Sequence, residues 1–189
     1  MQVKKVKQIM NQADITSTID KMVEQISANF QNELSNVRFV GIVRRGVSVA
    51  QIAANIFKQK TDIALSVAPL KIKIYEDDLS YASPLGESLE NPDGFNGKII
   101  IAWDDVAWTL ATLEKAFGLI TANAKPQKIV FAVLVDRFDW HDRGKANFAP
   151  QIIGVKQSTT AKQIVKVCFE ETGDGETSVW LCEKEEDNE

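Results

Sequence analysis

The chain has 189 residues, 44% of them hydrophobic, enough to close one sizeable core and short for two, so a single domain over 1–189 is expected. Its net charge of −4 supplies no overall attraction to nucleic acid or to an anionic membrane. Its apolar runs fall well short of the roughly 20 residues of a membrane helix, and the opening MQVKKVKQIM lacks the apolar core of a secretion leader, so a cytoplasmic protein is expected.

Residues 14–34 put Ile15, Ile19, Met22, Val23, Ile26 and Phe30 at helical spacing, with Asp14 as N-cap. The apolar, β-branched run RFVGIV at 38–43 predicts a buried strand; it ends at Arg44, Arg45 and Gly46, and helical periodicity resumes from Ser48. PLKIKIY at 69–75 alternates apolar and basic residues as an exposed strand does, and 76–97 is rich in turn formers. A connection of that length in a small domain is usually functional or mobile. KIIIAW at 98–103 is a second buried strand that runs into Asp104 and Asp105, and a helix from about 110 to 123 carries Leu110, Leu113, Phe117 and Ile120 along one face. KIVFAVLVD at 128–136 is a third strand, followed by an aromatic and charged loop that holds His141, the sole histidine. One histidine argues against a zinc site or a histidine-based triad. The closing strands are 151–156, 164–171 and 177–184; Cys168 and Cys182 fall in two of them without CxxC spacing, which suits buried reduced thiols, and an acidic tail begins near 183.

Strands that alternate with helices predict an α/β fold with a central, mostly parallel sheet flanked by helices. Ligands of such sheets sit beyond the carboxyl ends of the strands, which selects the loops 44–48, 104–109 and 136–148. Asp104 and Asp105 are suited there to sugar hydroxyls or magnesium, or alternatively to capping the next helix. Thr109 and Thr112 suit a phosphate resting on a helix N-terminus, and Thr109 suits a plain N-cap equally well. Arg44 and Arg45 sit between a buried strand and a helix, a better place for meeting a polyanion than for decorating a surface.

The segment WDDVAWTLAT resembles the phosphoribosyl-pyrophosphate (PRPP) loop of the type I phosphoribosyltransferases, whose pattern is an acidic pair, three residues, then Thr-Gly-x-Thr. VGIVRRGVSVAQIAANI resembles the strand, pyrophosphate loop and helix of the branch that joins pyrimidine regulation to uracil phosphoribosyltransferase activity; IKIYEDDLS resembles its flexible loop and VLVDR the entry to its hood. The resemblance implies a phosphoribosyltransferase-like fold with a small hood. It implies a catalytic set of Arg45, Asp104, Asp105 and Arg137, with Asp104 and Asp105 on the ribose 2- and 3-hydroxyls and near magnesium. Thr109, Leu110, Ala111 and Thr112 would line the 5-phosphate, Arg44, Arg45 and Gly46 the pyrophosphate, and Trp108 and Asp136 the base side, with His141 matching a hood histidine at altered spacing. Trp108 stands where purine-using members carry an acid, which weakens a purine substrate. Implied ligands are PRPP with magnesium and a nucleotide or other phosphorylated small molecule, in a homo-oligomer.

Two positions depart from the pattern. Leu110 replaces the PRPP-loop glycine, whose missing side chain lets backbone amides close around a phosphate, and Glu76 replaces a flexible-loop arginine. Both changes weaken the donors and cations around a leaving pyrophosphate, which favours a binding or regulatory relative over an active transferase for a pyrimidine-like base. RNA binding would need a basic face, and only Lys4, Lys5, Lys7, Lys71 and Lys73 suggest one, which argues against RNA as a partner.

Overall fold

The computed structural model describes residues 3–72, 87–139 and 149–185. In chain order the elements are β1 (Val3–Met10), α1 (Gln12–Asn29), β2 (Val37–Ile42), α2 (Arg45–Thr61), β3 (Val67–Lys71), β4 (Ser88–Leu89), β5 (Ile99–Ala107), α3 (Ala111–Asn123), β6 (Lys128–Asp136), β7 (Ile152–Lys156), β8 (Gln163–Cys168) and β9 (Ser178–Lys184). They form two sheets. A six-stranded sheet runs β4-β3-β2-β5-β6-β7, and a three-stranded antiparallel sheet runs β1-β9-β8. In the large sheet every pairing is parallel except that of β3 with β4. This is the expected α/β architecture, with the small sheet in the place of the hood. Among the described residues no helix is long and apolar enough to cross a membrane.

The alternation of side chains along the central strands builds a core on each face of the large sheet. Ile99, Ile101 and Trp103 of β5 join Val37 and Phe39 of β2 under α1 and α2, where Val165, Val167 and Val179 of the small sheet complete the same cluster. Ile100 and Ala102 join Val40 and Ile42 on the opposite face, beneath Leu113, Ala116 and Ile120 of α3. The Trp103 and Phe39 rings meet edge to face at 5.4 Å, a contact that fixes the strands just before the acidic pair.

Several boundaries differ from the sequence expectation. The first helix ends at Asn29, and its N-cap is Asn11; Asp14 is the third residue of a capping box, accepting from the Asn11 N–H at 3.0 Å while Asn11 Oδ1 accepts from the Asp14 N–H at 2.9 Å. The second helix starts at Arg45, three residues before the apolar periodicity begins. The N-terminal lysine-rich stretch, with no strand expected, is the edge strand β1, where lysines discourage pairing with other chains. The expected strand 69–75 is β3, Val67–Lys71, and Lys73 lies outside the described residues.

Candidate functional site

Parallel strands β2, β5 and β6 finish at one edge of the large sheet, and that shared edge brings most of the expected site residues together. Strand β5 does not stop before the acids; it continues through Asp104 and Asp105 to Ala107, which lies in register with Asp136 at the end of β6. Asp104 and Asp136 are therefore buried, at 6% and 2% exposure, while Asp105 is half-buried. Neither acid caps α3, because the N-cap is Leu110 and it makes no side-chain capping hydrogen bond. The same fact removes Thr109 from the N-cap position.

The acidic pair is electrostatically loaded. Burial, and then the neighbouring charge of Asp105, push the Asp104 carboxyl well above the ordinary range. Burial also raises Asp105, with the hydrogen bond to Asp104 and the positive charge of Arg45 pulling it back. The Asp105 N–H donates to Asp104 Oδ1 at 2.9 Å, so the first carboxylate is oriented by the backbone of the second. Burial opposes the charge of this pair, and an arriving cation or hydroxyl donors would favour its ionised form.

Arg44, Arg45 and Gly46 stand at the start of α2, with the exposed Arg44 as its N-cap and a cis peptide between Val43 and Arg44. Gly46 packs directly on β5. A Cβ built there would lie 2.5 Å from the Trp103 carbonyl oxygen and 3.1 Å from the Asp104 Cα, so only glycine lets the helix start lie against the acidic strand. Arg45 is aimed across this junction, but its guanidinium grips Asp174: Nε donates to Oδ2 at 3.2 Å and an Nη to Oδ1 at 3.0 Å. Asp174 lies in the turn between β8 and β9, 129 positions from its partner, and the sequence TGDG by itself signals only a turn.

Leu110 resolves the question posed by the missing glycine. Its backbone is left-handed, with φ of 63° and ψ of −4°, the region a glycine favours, and its side chain is 4% exposed within the cluster that holds Leu113 and Ala116. Leu110 holds this glycine-like conformation with its side chain turned inward and buried. The first bond of α3 runs from the Glu114 N–H to the Leu110 carbonyl at 3.0 Å, so the Ala111, Thr112 and Leu113 amides precede the helical ladder. Ala111 is exposed, and Thr109 and Thr112 are half-buried.

Trp108 and Arg137 form the wall nearest the small sheet. The Arg137 guanidinium lies 4.7 Å over the Trp108 ring, and Lys184 Nζ of β9 lies 5.6 Å from it. Arg137 is 2% exposed; Nε donates to Thr159 Oγ1 at 3.0 Å, an Nη to the Gln163 carbonyl at 2.9 Å, and its N–H to the Ala107 carbonyl at 3.0 Å. These bonds tie the ends of β5 and β6 to the start of β8. His141 and Glu76 lie outside the described residues.

Two further expectations concern residues away from this edge. Cys168 and Cys182 are buried free thiols, raised by desolvation. Lys4, Lys5 and Lys7 lie on β1 and Lys71 on β3, in different sheets, and Lys5 is paired with Glu176 at 2.6 Å.

The phosphoribosyl transferase domain model matches residues 5–171. The chain is 30% identical over 175 residues to the bifunctional protein PyrR of Microcystis aeruginosa, covering 92% of this chain and 96% of that protein. It is also 30% identical over 184 residues to the bifunctional protein PyrR of Elusimicrobium minutum, covering 96% and 99%. Among solved structures it is similar to a hypoxanthine phosphoribosyltransferase from Staphylococcus aureus, with a TM-score of 0.71 at 15% identity over 93% of this chain and 90% of that one. An HGPRT-ase from Leishmania tarentolae in complex with GMP gives 0.72 at 13% identity, over 96% and 98%.

Proposed function

This chain belongs to the phosphoribosyltransferase family, and on that premise we propose that it binds the 5-phosphoribosyl group of PRPP or of a nucleotide. We assign it a ligand-sensing or regulatory role in nucleotide metabolism, with transfer itself weakened. The observation that carries this reading is the left-handed, inward-turned Leu110, which keeps the loop backbone in a glycine-like shape despite the substitution. In this reading the amides of Ala111 and Thr112, with the Thr109 and Thr112 hydroxyls, receive the 5-phosphate at the start of α3. Asp104 and Asp105 accept hydrogen bonds from the ribose 2- and 3-hydroxyls, and their hard oxygen donors fit magnesium that arrives with the ligand's own phosphates. Arg44, Arg45 and Gly46 face the pyrophosphate, and Asp136 borders the base side with Trp108, whose ring Arg137 holds in place.

Transfer is the weaker activity because departure of pyrophosphate needs cations free to follow it. Arg45 is paired with Asp174 and must exchange that partner before it can meet pyrophosphate, and Glu76 stands where the resemblance expects arginine. The second reading, an active transferase joining a pyrimidine-like base to PRPP, is favoured by the complete Asp104, Asp105, Thr109 and Thr112 set.

The two readings separate in one pair of assays: calorimetric titration with uridine monophosphate and with magnesium PRPP, and pyrophosphate release from PRPP in the presence of uracil. Saturable binding with little release supports the proposal. Turnover at ordinary enzymatic rates, about 1 per second or more, replaces it with the second reading, and absence of binding by folded protein removes both.

A further inference from the structure

The Asp174 carboxylate is built into its turn before it meets Arg45. Gly173 and Gly175 on either side have φ of 83° and 87°, the left-handed geometry that folds the turn tightly around the aspartate. Thr172 Oγ1 donates to Oδ2 at 2.6 Å and the Phe169 N–H donates to the same oxygen at 3.2 Å. Arg45 then adds the two-pronged pair, with side-chain exposures of 34% for the arginine and 14% for the aspartate. The carboxylate thus presents two oxygens to the guanidinium in the same fork geometry a phosphate offers. Burial opposes its charge, yet the hydrogen bonds from Arg45, Thr172 and Phe169 hold the carboxyl far below its ordinary range, so it is charged at neutral pH.

We propose that Asp174 is a built-in competitor for the pyrophosphate site, a carboxylate latch that occupies Arg45 until a phosphate ligand displaces it and releases the turn between β8 and β9. The inference rests on the reading that the loop around Arg45 meets pyrophosphate. A ligand phosphate carries more charge than one carboxylate and reaches the backbone amides at the start of α2 as well, so it wins the exchange at sufficient concentration. The exchange lowers apparent affinity by the fraction of open latch: a latch closed in about ten molecules of eleven weakens binding about tenfold. It also makes the small sheet responsive to occupancy of a site on the large one.

The test is calorimetric titration with inorganic pyrophosphate of the full chain, of Asp174→Asn and of Arg45→Gln, with amide hydrogen exchange of the wild type alongside. Asn retains the oxygen that accepts from Thr172 and Phe169 while losing the charge. The latch requires D174N to bind pyrophosphate about tenfold tighter than wild type, and R45Q to bind it more weakly than wild type. In the wild type, exchange at the 169–177 turn should rise on pyrophosphate binding while the start of α2 becomes protected; this readout stands even where D174N folds poorly. Equal affinity of wild type and D174N, with binding lost in R45Q and an unchanged turn, overturns the latch and leaves the phosphate site intact. Absence of pyrophosphate binding by wild type and by D174N overturns the latch together with the reading on which it rests.

Discussion

Asp104 illustrates how a single side chain opposes stability where function needs it. Its carboxyl is raised by burial and by Asp105, so the folded state penalises the charge. The penalty is absent below the ordinary carboxylate value of 3.8, grows as pH rises through it, and is complete above the raised folded value, where the pair titrates as a unit. Asp104→Asn keeps the oxygen that accepts from the Asp105 N–H, and should stabilise the protein at neutral pH by about 1 kcal/mol while abolishing ribose binding; melting temperature against pH measures the first and calorimetry the second. At Leu110 two terms compete: left-handed backbone costs a leucine about 1 kcal/mol, and a buried leucine is worth roughly 3 kcal/mol over alanine. Leu110→Ala should therefore be less stable than Leu110→Gly by about 1 kcal/mol in urea unfolding, and L110G should leave PRPP affinity within about threefold of wild type. A large rescue of affinity would show that the leucine side chain blocks the loop after all. The chemistry of this loop was legible as residue types, but the direction of the Leu110 side chain was not, because it depends on the cavity beneath α3.

The elements that carry the site differ in how openly the chain declares them. Strands β2, β5 and β6 stand out as apolar, β-branched runs because both faces of a parallel sheet are covered. The start of α2 does not, since Arg44, Arg45 and Gly46 have neither apolar periodicity nor a side-chain cap, and the helix begins there because Gly46 lets it pack on β5. Gly46→Ala tests that junction. The added methyl meets backbone atoms of Trp103 and Asp104 that cannot rotate away, so it should cost roughly 1–3 kcal/mol and eliminate pyrophosphate binding; normal stability and binding would mean that α2 shifts without consequence. Strand β1 was illegible for a different reason: its lysines hide the pattern, and its partner β9 lies at the other end of the chain.

At the scale of the whole molecule, the pair between Arg45 and Asp174 fastens the small sheet to the helix that borders the site. The depressed carboxyl of Asp174 makes its stabilisation fully present above the ordinary value of 3.8 and progressively lost as pH falls below it. Screening at this partly exposed pair limits the contribution to about 1 kcal/mol; the stability gap between wild type and D174N should have that size at neutral pH and close toward strong acid. Such a contact, 129 positions apart in sequence, emerges only after the sheets assemble, whereas the order of strands, helices and loop motifs along the chain already resembles the family as a whole. The central claim, that the edge formed by β5 and α3 binds a phosphoribosyl ligand, is tested most directly by calorimetric titration of magnesium PRPP into the wild type and into the Asp104→Asn, Asp105→Asn double variant. The account predicts saturable binding by wild type between micromolar and millimolar, about −8 to −4 kcal/mol, and its loss in the folded double variant. No heat from folded wild type up to millimolar PRPP, or equal affinity in the double variant, would contradict it.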